Sequence, residues 1–178
     1  MKETEVFGYD ISEISIAHAK EFLKNENLRY EACDIFQVFN KHQNADVFCM
    51  INSLFLLPRQ DILLLNIHRV LNQDGWFMLI VPNMEGKNYK NFLSDQNNSS
   101  INTFVLHPSQ FVDYFKDRNF RILKMKGIVY AHFYKRKDVK LFSVFSHFYL
   151  LFLNKVQSLL RINQPNYFLL VLIKNEKI

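Results

Sequence analysis

Val6-Phe7-Gly8-Tyr9-Asp10-Ile11-Ser12 and, sixteen positions after it, Leu28-Arg29-Tyr30-Glu31-Ala32-Cys33-Asp34-Ile35 decide how this chain reads. Each is a short apolar run that closes on an aspartate. Between them Ser12 can cap a helix with Glu13 in its first turn, where the helix dipole favours a carboxylate. Ile16, Ala19, Phe22 and Leu23 recur at helical spacing, which predicts a sheet-facing stripe ended by Asn25-Glu26-Asn27. Strand, helix and strand in this rhythm predict a parallel pair. A carboxylate at a strand's C-terminal end then lies in the crevice where open α/β sheets take their ligands. Two of them at successive strand tips suit a nucleoside, one for ribose hydroxyls and one for a base edge.

The pattern continues downstream. Ala45-Asp46-Val47-Phe48-Cys49-Met50-Ile51 is a continuous apolar run, as expected of a strand covered on both faces. Asn52 to Pro58 reads as a loop and Gln60 to Leu71 as a helix burying Ile62, Leu65, Ile67, Val70 and Leu71. Asn72-Gln73-Asp74-Gly75 reads as a turn with Gly75 at positive φ, followed by a strand from Trp76 to Val81 stopped by Pro82. Alternation of this kind predicts α/β architecture with right-handed crossovers. The second half changes character. Residues 83–106 are polar and weakly periodic, Pro108 opens a helix through Phe111, Val112 and Phe115, and Phe120 to Tyr130 reads as a strand. Residues 138–162 form a long apolar helical pattern, and Tyr167 to Ile173 a last strand. The final two strands predict an antiparallel pair at the sheet edge. No repeat or linker divides the chain, so 1–178 reads as one domain with halves 1–82 and 83–178.

Composition narrows the function classes. A hydrophobic share of 49% with only four Gly and four Pro fits a folded protein rather than a disordered one. The net charge of +5 is modest and scattered apart from Lys135-Arg136-Lys137 with Lys140, which argues against a nucleic-acid binder. Cys33 and Cys49 lack metal-ligand or CxxC spacing and read as buried thiols of a reducing, cytoplasmic setting. No signal-peptide pattern opens the chain. Leu141 to Leu153 is uncharged but shorter than the roughly 20 apolar residues a spanning helix needs. It reads as a core helix first, with a lipid-like substrate or peripheral membrane contact as the other reading.

Taken together, Gly8-Tyr9-Asp10-Ile11-Ser12, Ala32-Cys33-Asp34-Ile35, Ala45-Asp46-Val47-Phe48 with Asn52-Ser53-Leu54, and His68-Arg69-Val70-Leu71-Asn72-Gln73-Asp74-Gly75-Trp76 resemble the class I S-adenosylmethionine-dependent methyltransferases, in their small-molecule branch. The resemblance is good over residues 5–82 and loose beyond. It implies a Rossmann-like, mostly parallel sheet with helices on both faces and an antiparallel C-terminal strand. It implies S-adenosyl-L-methionine as cofactor, a small-molecule acceptor, oxygen by default, and no metal.

By the same resemblance Asp10 accepts from the ribose hydroxyls and Ile11 packs on the adenine. Asp34 accepts from the exocyclic amine and the Ile35 N–H meets a ring nitrogen. Asn52 and Ser53 are cofactor-side candidates at the mouth where the methionine end of the cofactor or the methyl acceptor approaches. Each has a plainer reading as a turn or cap residue. His107 and His132 are the weak candidates for a base; His68 reads as structural, and His18, His42 and His147 carry no case for function.

Three departures from the family pattern stand out. The family's first strand and E-x-G-x-G loop, expected before Glu5, are missing, so the chain reads as N-terminally truncated. Asn72-Gln73-Asp74-Gly75 replaces K-P-G-G, and Arg118-Asn119-Phe120 stands where Gly-Phe is common. Two rival readings follow: a non-catalytic remnant or interaction protein, and an NAD-dependent oxidoreductase, which also places an acid at its second strand's end. Oligomeric state is not legible.

Overall fold

The computed structural model describes residues 4–83, 107–128, 165 and 167–175. The polar stretch after residue 83, His132, the basic cluster at 135–140 and the apolar run 141–153 lie outside the described residues. The chain divides into two compact units, Met1–Ala45 and Asp46–Ile178.

In the first unit β1 (Val6–Asp10) and β2 (Leu28–Ala32) pair in parallel, from Val6 opposite Leu28 to Asp10 opposite Ala32. The intervening α1 (Glu13–Phe22) begins as its sequence dictates. Ser12 is extended at the cap and its hydroxyl accepts from the Ser15 N–H at 3.2 Å. Ile16 is the buried residue of this helix. Phe22 and Leu23 are 72% and 58% exposed, because the helix ends at Phe22 and the expected stripe runs out with it. Gly8 is demanded by packing. A Cβ there would lie 2.6 and 2.8 Å from two ring carbons of Tyr30, its partner across the ladder. A short helix, α2 (Ile35–Val38), completes the unit and buries Val38.

The second unit carries a four-stranded sheet in the order β3-β4-β6-β5. Its strands are β3 (Ala45–Ile51), β4 (Leu71–Pro82), β5 (Phe120–Ile128) and β6 (Tyr167–Lys174). The last is antiparallel to β5, as the C-terminal pairing predicts, and also to β4, with a bulge in β5 between Ile122 and Lys124. Helix α3 (Gln60–Val70) buries Leu63, Leu64, Ile67 and Val70, while Ile62 and Leu65 are each 48% exposed. The expected turn at 72–75 is instead the start of β4, and no described glycine has positive φ. Asn72 is held extended by its amide, which donates to Asp46 Oδ1 at 2.6 Å. From Gly75 to Val81 every second residue is then buried.

Phenylalanine dominates the core. Phe77 packs between Phe48 and Phe120, at 6.2 and 5.6 Å between ring centroids, and Phe111 meets Phe168 at 6.0 Å. Phe77, Phe111, Phe115 and Phe120 are all fully buried. Each contributes on the order of 1.5–3 kcal/mol by leaving water. Helix α4 (Phe111–Lys116) supplies Phe111, Tyr114 and Phe115 to this core and leaves Val112 outward.

Two expectations change in physical terms. β3 is not covered on both faces: Met50 is buried, but Val47 and Ile51 are 48% and 66% exposed. Cys49, expected to be a buried thiol, is therefore exposed, and Cys33 is half-buried. The residues before β5 show why the family's glycine is dispensable here. Asn119 has φ 61°, a left-handed conformation that asparagine tolerates, and its carbonyl accepts from Asn175 N–H at 2.8 Å.

Candidate functional site

Parallel pairing puts the C-terminal tips of β1 and β2 side by side, and the ladder closes with the Cys33 N–H donating to the Asp10 carbonyl at 3.0 Å. Asp10 and Asp34 therefore leave adjacent strand tips at the same end of the sheet. Both carboxylates are exposed. Asp10 Oδ1 accepts from the Ser12 N–H at 2.8 Å, which fixes the carboxyl against the turn into α1. Asp34 caps α2 in the same way, its Oδ1 accepting from the Phe36 N–H at 2.8 Å. The turn and cap readings of these two residues thus hold, and each uses one carboxylate oxygen. The Ile35 N–H, first in its helix, makes no bond among the described residues, as first-turn donors do not within a helix. Ile11 beside Asp10 is 77% exposed.

The opposite face of β1 holds a cluster that sequence reasoning missed. Tyr9 alternates with Asp10 on the strand, and its hydroxyl is hydrogen-bonded to His42 Nε2. The His42 ring also lies 4.4 Å from that of Phe7. Lys41 pairs with Glu31, a hydrogen bond that raises the ammonium's pKa, and sits 6.0 Å from the Tyr9 ring centroid. Partial burial, and then the Glu31 carboxylate, push the Tyr9 phenol above its ordinary value, with Lys41 opposing. Period two along β1 puts Phe7 and Tyr9 on one face, but nothing local links them to a histidine 33 residues on. This unit also has a hollow of about 590 Å³ at the other end of its strands, lined by Lys20, Lys24, Arg29 and Tyr30 among others. It lies away from the two aspartates.

The remaining candidates belong to the second unit. Asn52 follows β3 with φ 55°, and its N–H donates to the Ile80 carbonyl at 2.9 Å. Ser53 precedes a short 3-10 turn, Leu54–Leu56, without a capping bond from its side chain. His107 is a cap: its Nδ1 faces the Ser109 N–H at 3.3 Å, while Gln110 Oε1 accepts from the His107 N–H at 3.0 Å. His68, expected to be structural, packs against Phe120 at 5.5 Å. Among the described residues no cluster of His, Cys, Asp and Glu could hold a metal ion.

Tested against S-adenosylmethionine, the first unit fits the adenosine half. It offers an acceptor for a vicinal diol, an acceptor for an amine and a backbone donor at adjacent tips. The fit stops there, since Gly8 is the only glycine before residue 45 and it lies against Tyr30.

A parallel strand pair ending in two acids, with a sheet whose last strand runs antiparallel between its neighbours, defines a Rossmann-like methyltransferase fold. Residues 1–137 match the family model described as "Methyltransferase domain". The chain belongs to that family, the class I S-adenosylmethionine-dependent methyltransferases. Solved structures agree on the fold. The chain is similar to one from the complex between the Haloferax volcanii Trm112 methyltransferase activator and a methyltransferase, with TM-score 0.67 at 13% identity over 97% of this chain and 73% of that one. An S-adenosylmethionine-dependent methyltransferase from Mesorhizobium loti gives 0.63 at 14% identity, over 96% and 81%. The [4+2]-cyclase SpnF gives 0.59 at 13%, over 98% and 68%. At such identities the likeness is one of fold alone. Comparison with curated proteins gives no match.

Proposed function

We propose that the chain methylates a small-molecule acceptor, by default at oxygen, and holds the adenosine of its cofactor between Asp10 and Asp34. The observation that carries this is the pairing of the two tips: parallel, in register, and each acid fixed by one local N–H. Asp10 would take the ribose hydroxyls and Asp34 the exocyclic amine, with the Ile35 N–H on a ring nitrogen and Ile11 against the adenine face. When bound, S-adenosylmethionine supplies a methyl group already made electrophilic by its sulfonium. The protein's task is then to align donor and acceptor and exclude water, which needs no nucleophile of its own.

Asn52 and Ser53 are assigned to the mouth where the methionine end of the cofactor or the acceptor approaches. His107 is committed to its cap, so we assign no base to it, and His132 keeps that role as a proposal. A cytoplasmic setting for the protein is part of the proposal and rests on its cysteine usage. Among the described residues no helix is long and apolar enough to cross a membrane. Among the described residues of the first unit no group is assigned to the methionine half of the cofactor. The limiting case is a non-catalytic remnant, and SpnF illustrates that the fold also occurs in a protein named for another reaction.

Incubation with methyl-labelled S-adenosylmethionine and a panel of phenols, quinols and sugars tests the proposal. Label in a small-molecule product supports it. Label only in protein or nucleic acid contradicts the acceptor class, and no label with measurable cofactor binding favours the remnant.

A further inference from the structure

Asp34 stands near the head of a segment that is tied to β1 at both ends. At its start the Cys33 N–H donates to the Asp10 carbonyl at 3.0 Å. At its far end His42 Nε2 is bonded to the hydroxyl of Tyr9, the residue next to Asp10 on the strand. Between these two points the backbone bonds are those of short turns. Asp34 holds the Phe36 and Gln37 N–H groups, and the Lys41 N–H donates to the Val38 carbonyl at 2.9 Å. A single helical turn such as α2 does not hold itself in place. Its placement comes from what residues 33–42 set against the strands: the buried Val38, the Lys41–Glu31 pair and His42. Both partners of that ion pair are exposed, and exposed pairs contribute little. His42 is half-buried, its ring 4.4 Å from that of Phe7 and edge-on to that of Tyr9 at 5.6 Å. A ring packed on two others and hydrogen-bonded to one of them is the stronger tie.

We propose, resting on the adenosine reading of the site, that the Tyr9–His42 bond positions Asp34 and so sets how strictly the protein reads the base edge. One Asp34 oxygen is taken by the Phe36 N–H, so the direction of the other follows the placement of α2. Asp10 is different. The Ser12 N–H fixes it within its own turn, and nothing in that turn depends on His42. Loosening the far anchor therefore degrades the contact to the amine and spares the contact to the ribose.

Calorimetry on the full chain tests this with S-adenosylhomocysteine, S-inosylhomocysteine, which carries a carbonyl in place of the amine, and the 2′-deoxy analogue, which lacks one ribose hydroxyl. The proteins are wild type, Tyr9→Phe and His42→Phe, which keep the ring packing and lose the bond, and His42→Gln, whose amide can reach the Tyr9 hydroxyl. A ratio of affinities taken on one protein does not depend on the fraction folded, so a loss of stability cannot imitate the effect. The proposal expects wild type to prefer the amine by about tenfold or more, since a site built for a hydrogen bond rejects a ligand that cannot make it. Tyr9→Phe and His42→Phe should lose most of that preference and keep the preference for the 2′-hydroxyl, and His42→Gln should restore the first. An amine preference unchanged in Tyr9→Phe and His42→Phe overturns the proposal and leaves the adenosine reading standing. Equal falls in both preferences also overturn it, since they mark a merely structural tie. A wild type that binds none of these ligands, or is indifferent to the amine, overturns the adenosine reading and the proposal with it.

Discussion

Asp34 has two roles that single substitutions separate. Its carboxylate caps a helix of only four residues through the Phe36 N–H. Asp34→Ala should cost about 1 kcal/mol of stability, as cap removal does. Asp34→Ser keeps a capping oxygen but no acceptor reaching the cofactor. It should therefore unfold like wild type while binding S-adenosylhomocysteine more weakly; equal losses of stability in both variants would reduce Asp34 to a cap. Gly8 makes a sharper case. Alanine there drives its methyl into the Tyr30 ring, which has to move, and overpacking of this kind costs on the order of 1–3 kcal/mol. Chemical denaturation of Gly8→Ala checks this, and unchanged stability would mean the ring yields freely. The aspartates were legible as residues because strand ends and carboxylates are local facts. What each carboxylate holds was not, since Asp34's bond to Phe36 competes with its ligand role and no sequence pattern ranks the two.

At the scale of elements, α3 and α4 are tied through their polar ends. The Tyr114 hydroxyl donates to Gln60 Oε1 at 2.7 Å. Arg118 lies 3.9 Å from the Tyr114 ring centroid and reaches Asp61 at 2.7 Å. Burial pushes the Tyr114 phenol up to about 12, with Asp61 adding to the shift and Arg118 opposing it. The sign follows: the folded state holds this proton more tightly than an unfolded chain with its ordinary value near 10. The contribution is intact below pH 10 and falls away as pH rises from about 10 through about 12. Tyr114→Phe should flatten thermal stability over that window only; a wild-type profile in the variant would assign the loss to another group. None of this was readable beforehand, because Gln60 and Tyr114 are 54 residues apart in sequence. The strands themselves were readable from their apolar runs. Helix faces were less so: α3 turns Leu63 and Leu64 inward where Ile62 and Leu65 were expected, since four adjacent apolar residues leave the buried face undetermined by period alone.

For the whole molecule, the order β3-β4-β6-β5 and the separate β1-β2 pair contain every strand the sequence announced. The pairing of β5 with β6 was legible from two successive apolar runs, whereas the insertion of β6 between β4 and β5 was not, since an apolar run marks covered faces and does not name its edge partners. The extent of β4 was not, as Asn72-Gln73-Asp74-Gly75 has turn composition and is made extended by a contact with Asp46, 26 residues earlier. The family assignment gives the class of reaction. The adenosine site is the part of the account that rests on geometry, and Asp10 is its anchor. Calorimetric titration of S-adenosylhomocysteine into wild type and Asp10→Ala, with NAD titrated alongside, tests it most directly. The account predicts measurable binding of S-adenosylhomocysteine, at least tenfold weaker in Asp10→Ala, and none of NAD. Equal affinity in the two proteins, or a preference for NAD, would contradict it.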